Sequence, residues 1–134
     1  MQFVLSMTTN EQSKIRSFTD LTAWQVSHRL VVEVYKITQK FPKSEIFGLV
    51  SQMRRCAVSI VSNIAEGFGC DSNKEKIRFY EIARGSITEL QSQLSIARDI
   101  GYITKEDFES IARQAIAAHT LVNGLKRHLQ NTNH

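Results

Sequence analysis

Proline occurs once and glycine six times in 134 residues. So few breakers argue against a turn-rich β fold and favour long, uninterrupted helices. Cysteine is scarcer than glycine. Cys56 and Cys70 are the only two, with no Cys-x-x-Cys and no histidine at ligand spacing, so no metal site is expected. Cys56 lies beside an apolar stripe and reads as a small buried hydrophobe. No apolar run approaches the length of a membrane span. The opening MQFVLSMTTN lacks the basic and apolar regions of a secretory signal, so two free thiols in the cytoplasm are expected. Catalytic and cofactor patterns are missing too. Gly67-Phe68-Gly69 has no following lysine and no preceding strand, so it is not a phosphate loop. The bundle di-metal motif Glu-x-x-His is absent from the surroundings of His28, His119, His128 and His134. No cofactor, metal or catalytic residue is assigned.

What is present is an ordinary soluble composition, 42% apolar and 22% charged, with a formal charge of +4. A mildly basic chain is compatible with nucleic acid, since phosphate neutralisation supplies most non-specific affinity. The cations are interleaved with acids, however. Between Asp71 and Gly101, Lys74, Lys76, Arg78, Arg84 and Arg98 are balanced by Asp71, Glu75, Glu81, Glu89 and Asp99. A solvated mixed-charge surface and a nucleic-acid face are both open readings. The candidate contacts are Arg54, Lys74, Lys76, Arg78 and Arg84, with Lys126 and Arg127 behind them.

Apolar residues recur at helical spacing throughout. Residues 1–17 show no sustained period and read as a loose leader. A first helix is expected from Thr19 or Asp20, either of which can cap it, to about Lys40, ending at Phe41-Pro42. Its apolar arc spans roughly 200°, twice what one core contact needs. Val26, Leu30 and Ile37 on that excess flank are expected to meet another subunit. Ser44 is expected to cap a second helix, whose stripe is Leu49, Val50, Met53, Ala57, Ile60 and Ile64, and glycine in a left-handed turn to end it at Gly67-Phe68-Gly69. Ser72-Asn73-Lys74-Glu75 is a capping box opening a third helix, with Phe79, Tyr80, Ala83, Ile87, Leu90, Leu94 and Ala97 inward and Ile82 and Ile96 on a second, mixed face. Gly101 closes it, and Thr104 caps a fourth helix carrying Phe108, Ile111, Ala115, Val122, Leu125 and Leu129. Residues 131–134 should fray. The expected fold is all-α, an antiparallel up-down-up-down four-helix bundle over residues 18–130.

The polar face of the second helix stands out. Ser59 and Ser62 are small enough, with Asn63, to let another helix approach. Gln52, Arg55 and Glu66 share that face, and Glu89 sits on the matching face of the third helix. A desolvated arginine needs a carboxylate, so Arg54 or Arg55 is expected to pair with Glu66 or Glu89, within the chain or across subunits. A pocket lined by Arg55, Asn63 and Glu66 is the rival reading. A separate pattern, Arg113 followed by His119, resembles the Arg-x(4–6)-His signature of HEPN-type helical ribonucleases, although the two side chains lie about 120° apart on a straight helix.

Taken together, Asp20-Leu21, Trp24, Tyr35, Phe41-Pro42, Glu45, Gly48-Leu49, Gln52, Arg54-Arg55, Ser59-Ile60, Asn63-Ile64-Ala65-Glu66-Gly67, Ala83-Arg84-Gly85-Ser86 and Glu89 form a combined pattern. It resembles the bacterial 23S ribosomal RNA intervening-sequence proteins, closely from Phe18 to Ile103 and loosely beyond. The resemblance implies a left-handed bundle assembled as a homopentamer around a channel, with no established catalytic residue. More distant relatives of that family serve retroelement reverse transcriptases as basic pentamers binding RNA and protein. The expected function is therefore a non-enzymatic oligomeric scaffold for RNA, DNA or a nucleic-acid-processing partner. A ribonuclease using Arg113 and His119, or a protein whose only partner is itself, are the alternatives.

Overall fold

The computed structural model describes residues 15–132. Most of the expected leader, and the last two residues of the tail, lie outside the described residues. Four helices and two short 3-10 turns make up the rest, with no strand among the described residues. We number the helices α1 (Thr22–Thr38), α2 (Leu49–Gly69), α3 (Asn73–Asp99) and α4 (Lys105–Thr132). They pack in a closed cycle: α1 on α2, α2 on α3, α3 on α4, and α4 back on α1.

Local chemistry explains where each helix begins. Ser17 caps a 3-10 turn, Phe18–Asp20, through a reciprocal box with Asp20, so α1 starts only after Leu21 and later than expected. Ser44 caps nothing either. It lies inside the 3-10 turn Lys43–Glu45, and Glu45 Oε1 reaches forward to accept the Leu49 N–H at 3.1 Å. Ser72 accepts the Glu75 N–H at 3.1 Å, but the return half of that box gives way to a Glu75–Arg78 ion pair at 3.2 Å. Thr104 accepts the Asp107 N–H at 3.1 Å, as its position predicts. At its far end α4 is helical through Thr132, whose hydroxyl donates to the His128 carbonyl at 3.0 Å.

The glycine expectation at the end of α2 needs correction. Gly67 remains helical, and its φ is not positive. What Gly67 supplies is space: a Cβ there would lie 2.6 Å from Cε1 of Tyr80 on α3. The left-handed glycine is Gly101, at φ +87°. Its N–H donates to the Arg98 carbonyl at 3.0 Å and the next N–H, of Tyr102, to that of Ala97 at 2.8 Å, the paired bonds that close α3.

The core is continuous, running from Leu30 and Val34 through Met53, Ile60 and Ile64 to Ile87, Leu90, Leu94, Ile111 and Val122. Each such side chain contributes roughly 1.5–3 kcal/mol of burial free energy. Leu30 is 0% and Ile37 7% exposed, and Val26 packs half-buried against the same core. Leu30 and Ile37 therefore face the chain's own core and not another subunit. A helix in a closed cycle lies against two neighbours, here α2 and α4, and each takes part of the arc. Part of the remainder is covered locally, where Trp24 stacks on His28 at 4.8 Å and meets Phe18 edge-on at 5.3 Å, while Val32 stays 40% exposed.

Candidate functional site

The outer seam between α2 and α3 holds the polar residues singled out in the sequence. Ser59 Oγ lies 2.9 Å from Ser86 Oγ, joining the two helices, and Asn63 donates back to the Ser59 carbonyl at 2.8 Å. Cys56 Sγ donates to the Ser86 carbonyl at 2.9 Å. Burial pushes this thiol up to about 12, and the nearby Glu89 carboxylate adds to the shift. Ser86 is the partner that sequence reasoning missed; only the crossing of the helices reveals it.

The expected ion pairs do not form. Neither arginine meets Glu66 or Glu89 among the described residues. Arg54 turns the other way, towards α1, where Nε donates to Thr38 Oγ1 at 2.9 Å and the guanidinium lies 4.6 Å over the Tyr35 ring. Thr38 is buried and spends its own proton on the Val34 carbonyl at 2.7 Å, so its oxygen is free to accept. Arg55, Gln52, Glu66 and Glu89 stay exposed on the seam, and Glu89 takes only a long bond from Gln93, at 3.4 Å. Gln93 is buried and its Oε1 has no partner among the described residues. Ile82 and Ile96 border this seam on α3, 42% and 49% exposed.

The five candidate nucleic-acid contacts do not form one surface. Arg54 lies near the start of α2, whereas Lys74, Lys76 and Arg78 open α3, beyond the other end of α2 and some 20 Å along its axis. Lys76 Nζ donates to the Phe68 and Gly67 carbonyls, at 2.6 and 3.3 Å, and so closes the end of α2. Arg78 is held by Glu75. Arg84 is held at 3.1 Å by Glu81, which also takes Lys126 at 2.8 Å. The Arg84 guanidinium, then Lys126, hold the Glu81 carboxyl below the usual carboxylate range. Lys74 alone of the five makes no such bond among the described residues.

Arg113 and His119 are not brought together. Arg113 lines a groove between α1 and α4, where His128 is the histidine present, and His119 is half-buried elsewhere on α4. The groove, about 1270 Å³, also gathers Arg29 and Lys36. These two cations were overlooked, although Val26, Arg29, Glu33 and Lys36 recur at helical spacing and so share a face. Among the described residues no cluster of three or more His, Cys, Asp or Glu is placed to hold a metal ion, and no helix is long and apolar enough to cross a membrane.

The closed cycle of four helices defines the class: an all-α, four-helix protein. Within that class the chain belongs to the family described as 23S rRNA-intervening sequence protein, which matches residues 19–124. A protein of unknown function from the S23 ribosomal protein family of Bacteroides thetaiotaomicron VPI-5482, solved at 1.70 Å, has the same fold. It aligns with a TM-score of 0.73 over 78% of this chain and 95% of that one, at 23% identity. No curated protein matches the sequence.

Proposed function

We propose that this chain is a non-enzymatic scaffold whose working form is a ring of identical copies, joined across the outer α2/α3 face and offering cations to RNA, DNA or a protein that processes them. The observation that carries this reading is the α2/α3 face itself. It combines the exposed Ile82 and Ile96, the charges of Arg55, Glu66 and Glu89, unpaired among the described residues, and a buried Gln93 oxygen lacking a donor among them. A second copy would supply both apolar cover and opposite charge. The family resemblance puts the number of copies at five, carrying about +20 together, enough for avidity on a phosphate backbone.

Each copy is read as an antiparallel up-down-up-down, left-handed bundle. Four contacts support the alternation. Thr38 at the end of α1 meets Arg54 near the start of α2, and Gly67 at the end of α2 packs on Tyr80 near the start of α3. Glu81, early in α3, meets Lys126, late in α4, and Lys40 just beyond α1 lies 3.6 Å from Asp107 in the first turn of α4. Left-handedness rests on the resemblance.

Light scattering tests the assembly. The expected molar mass of the wild-type protein is a multiple of the 15.3 kDa chain, and Ile82→Glu with Ile96→Glu should yield single chains of unchanged helicity. A wild-type protein already at single-chain mass overturns the ring. RNA affinity should fall steeply with added salt, and no binding at about 50 mM salt removes that part of the reading.

A further inference from the structure

The groove between α1 and α4 shares no helix with the α2/α3 face and is a surface of a different kind. Its floor is apolar, with Val26 of α1 opposite Leu121 and Leu125 of α4. Among the described residues it is also open: a Cβ placed on Gly124 would meet none of them within 4 Å. Its rim is basic. Arg29, Lys36 and Arg113 surround one acid, Glu33, which lies 4.0 Å from Lys36. Arg29 and Arg113 have no carboxylate within ion-pair distance among the described residues, and Arg29 is half-buried. From Arg113 to His128 the α4 wall runs about 22 Å, four turns of helix.

We propose that this groove docks an acidic amphipathic helix of a partner protein, its apolar stripe on Leu121 and Leu125 and its carboxylates on Arg29 and Arg113. The charge balance selects this occupant. Two unpaired guanidinium groups above an apolar floor call for a ligand that is anionic on its flanks and greasy beneath, the helix-in-groove mode. A nucleic-acid strand satisfies the rim only. Among the described residues no Phe, Tyr or Trp lines the groove, His128 at one end being its single ring, and phosphates would leave the floor uncovered. A second copy of this chain, itself at +4, is a poor match for a basic rim.

The test uses the full chain and a fluorescent peptide of about 18 residues, with leucine at helical spacing and glutamate elsewhere, beside a scrambled peptide of equal composition. Anisotropy should show the patterned peptide binding at least roughly tenfold tighter than the scrambled one. Arg29→Glu with Arg113→Glu, and separately Ala117→Glu at an exposed groove position, should each weaken it by roughly tenfold or more while circular dichroism stays unchanged. Equal binding of the two peptides overturns the proposal, as do variants that bind like wild type. RNA affinity abolished by Ala117→Glu, with the patterned peptide ignored, assigns the groove to nucleic acid instead. Ala117→Cys in a Cys70→Ser background should label with maleimide in the native protein. Labelling that appears only after Ile82→Glu with Ile96→Glu assigns the groove to self-association and likewise overturns it.

Discussion

Two cysteines of one chain sit in opposite situations. Cys56 is buried beneath the α2/α3 seam with its proton on the Ser86 carbonyl and a carboxylate nearby, while Cys70 is half-exposed at the end of α2. A thiolate at Cys56 would be desolvated and next to Glu89, which is why its titration moves up to about 12. At pH 8 Cys56, buried and almost wholly protonated, should therefore react with a disulfide reagent much more slowly than Cys70. Dithionitrobenzoate should find one prompt thiol per chain, lost in Cys70→Ser; two prompt thiols would contradict the burial. Arg54 teaches a related lesson. It was a reasonable phosphate contact on charge alone, yet a buried threonine oxygen and a tyrosine ring engage it inside the fold. Nothing in the local sequence distinguishes it from Arg55, because the difference is which neighbouring helix each faces.

At the scale of the element, the close approach of α2 to α3 depends on Gly67. Adding a methyl group there forces Tyr80, 3% exposed, to move, since Cε1 would lie 2.6 Å and Cδ1 3.0 Å away. Gly67→Ala should destabilise the protein by about 1–3 kcal/mol in urea unfolding. Gly85→Ala offers the contrast. Its Cβ meets nothing within 4 Å in mid-α3, so the better helix former should raise stability by about 0.5–1 kcal/mol. A similar gain in both variants would mean that helix propensity, not spacing, governs the α2/α3 contact. The same element scale explains α1. Its broad apolar arc was legible, but the sequence could not say whether a second neighbour came from the same chain. The arc was therefore assigned outward, when Leu30 and Ile37 face inward.

For the whole molecule, one carboxylate ties two distant connections together. Glu45 Oε1 accepts the Leu49 N–H, and Oε2 accepts the Tyr102 hydroxyl at 2.8 Å, joining the α1–α2 connection to the α3–α4 connection across the end of the fold. The Leu49 bond first, then the Tyr102 bond, hold the Glu45 carboxyl below its ordinary value of 4.5. A carboxyl whose folded value is depressed stabilises the fold above the unfolded value, and that contribution disappears as pH falls through the folded one. Wild type should accordingly melt higher than Glu45→Gln at pH 7, with the gap closing below about pH 4. A gap equally wide at pH 3 would show that charge on Glu45 is not what holds the connections together. Glu81, bonded to Arg84 and Lys126, is depressed in the same direction and adds to the acid sensitivity.

The sequence alone determined the number of the helices, most of their inward stripes and several of their caps, because periodicity and capping act over a few neighbouring residues. The Gln52–Glu66 polar face and the family pattern were equally legible. Only the tertiary structure decided where long side chains end: Arg54 on Thr38, Lys76 on the end of α2, Glu45 on Tyr102, and Arg29 with Arg113 in one groove. Those partners lie on other elements, and which elements meet is set by packing the whole core at once.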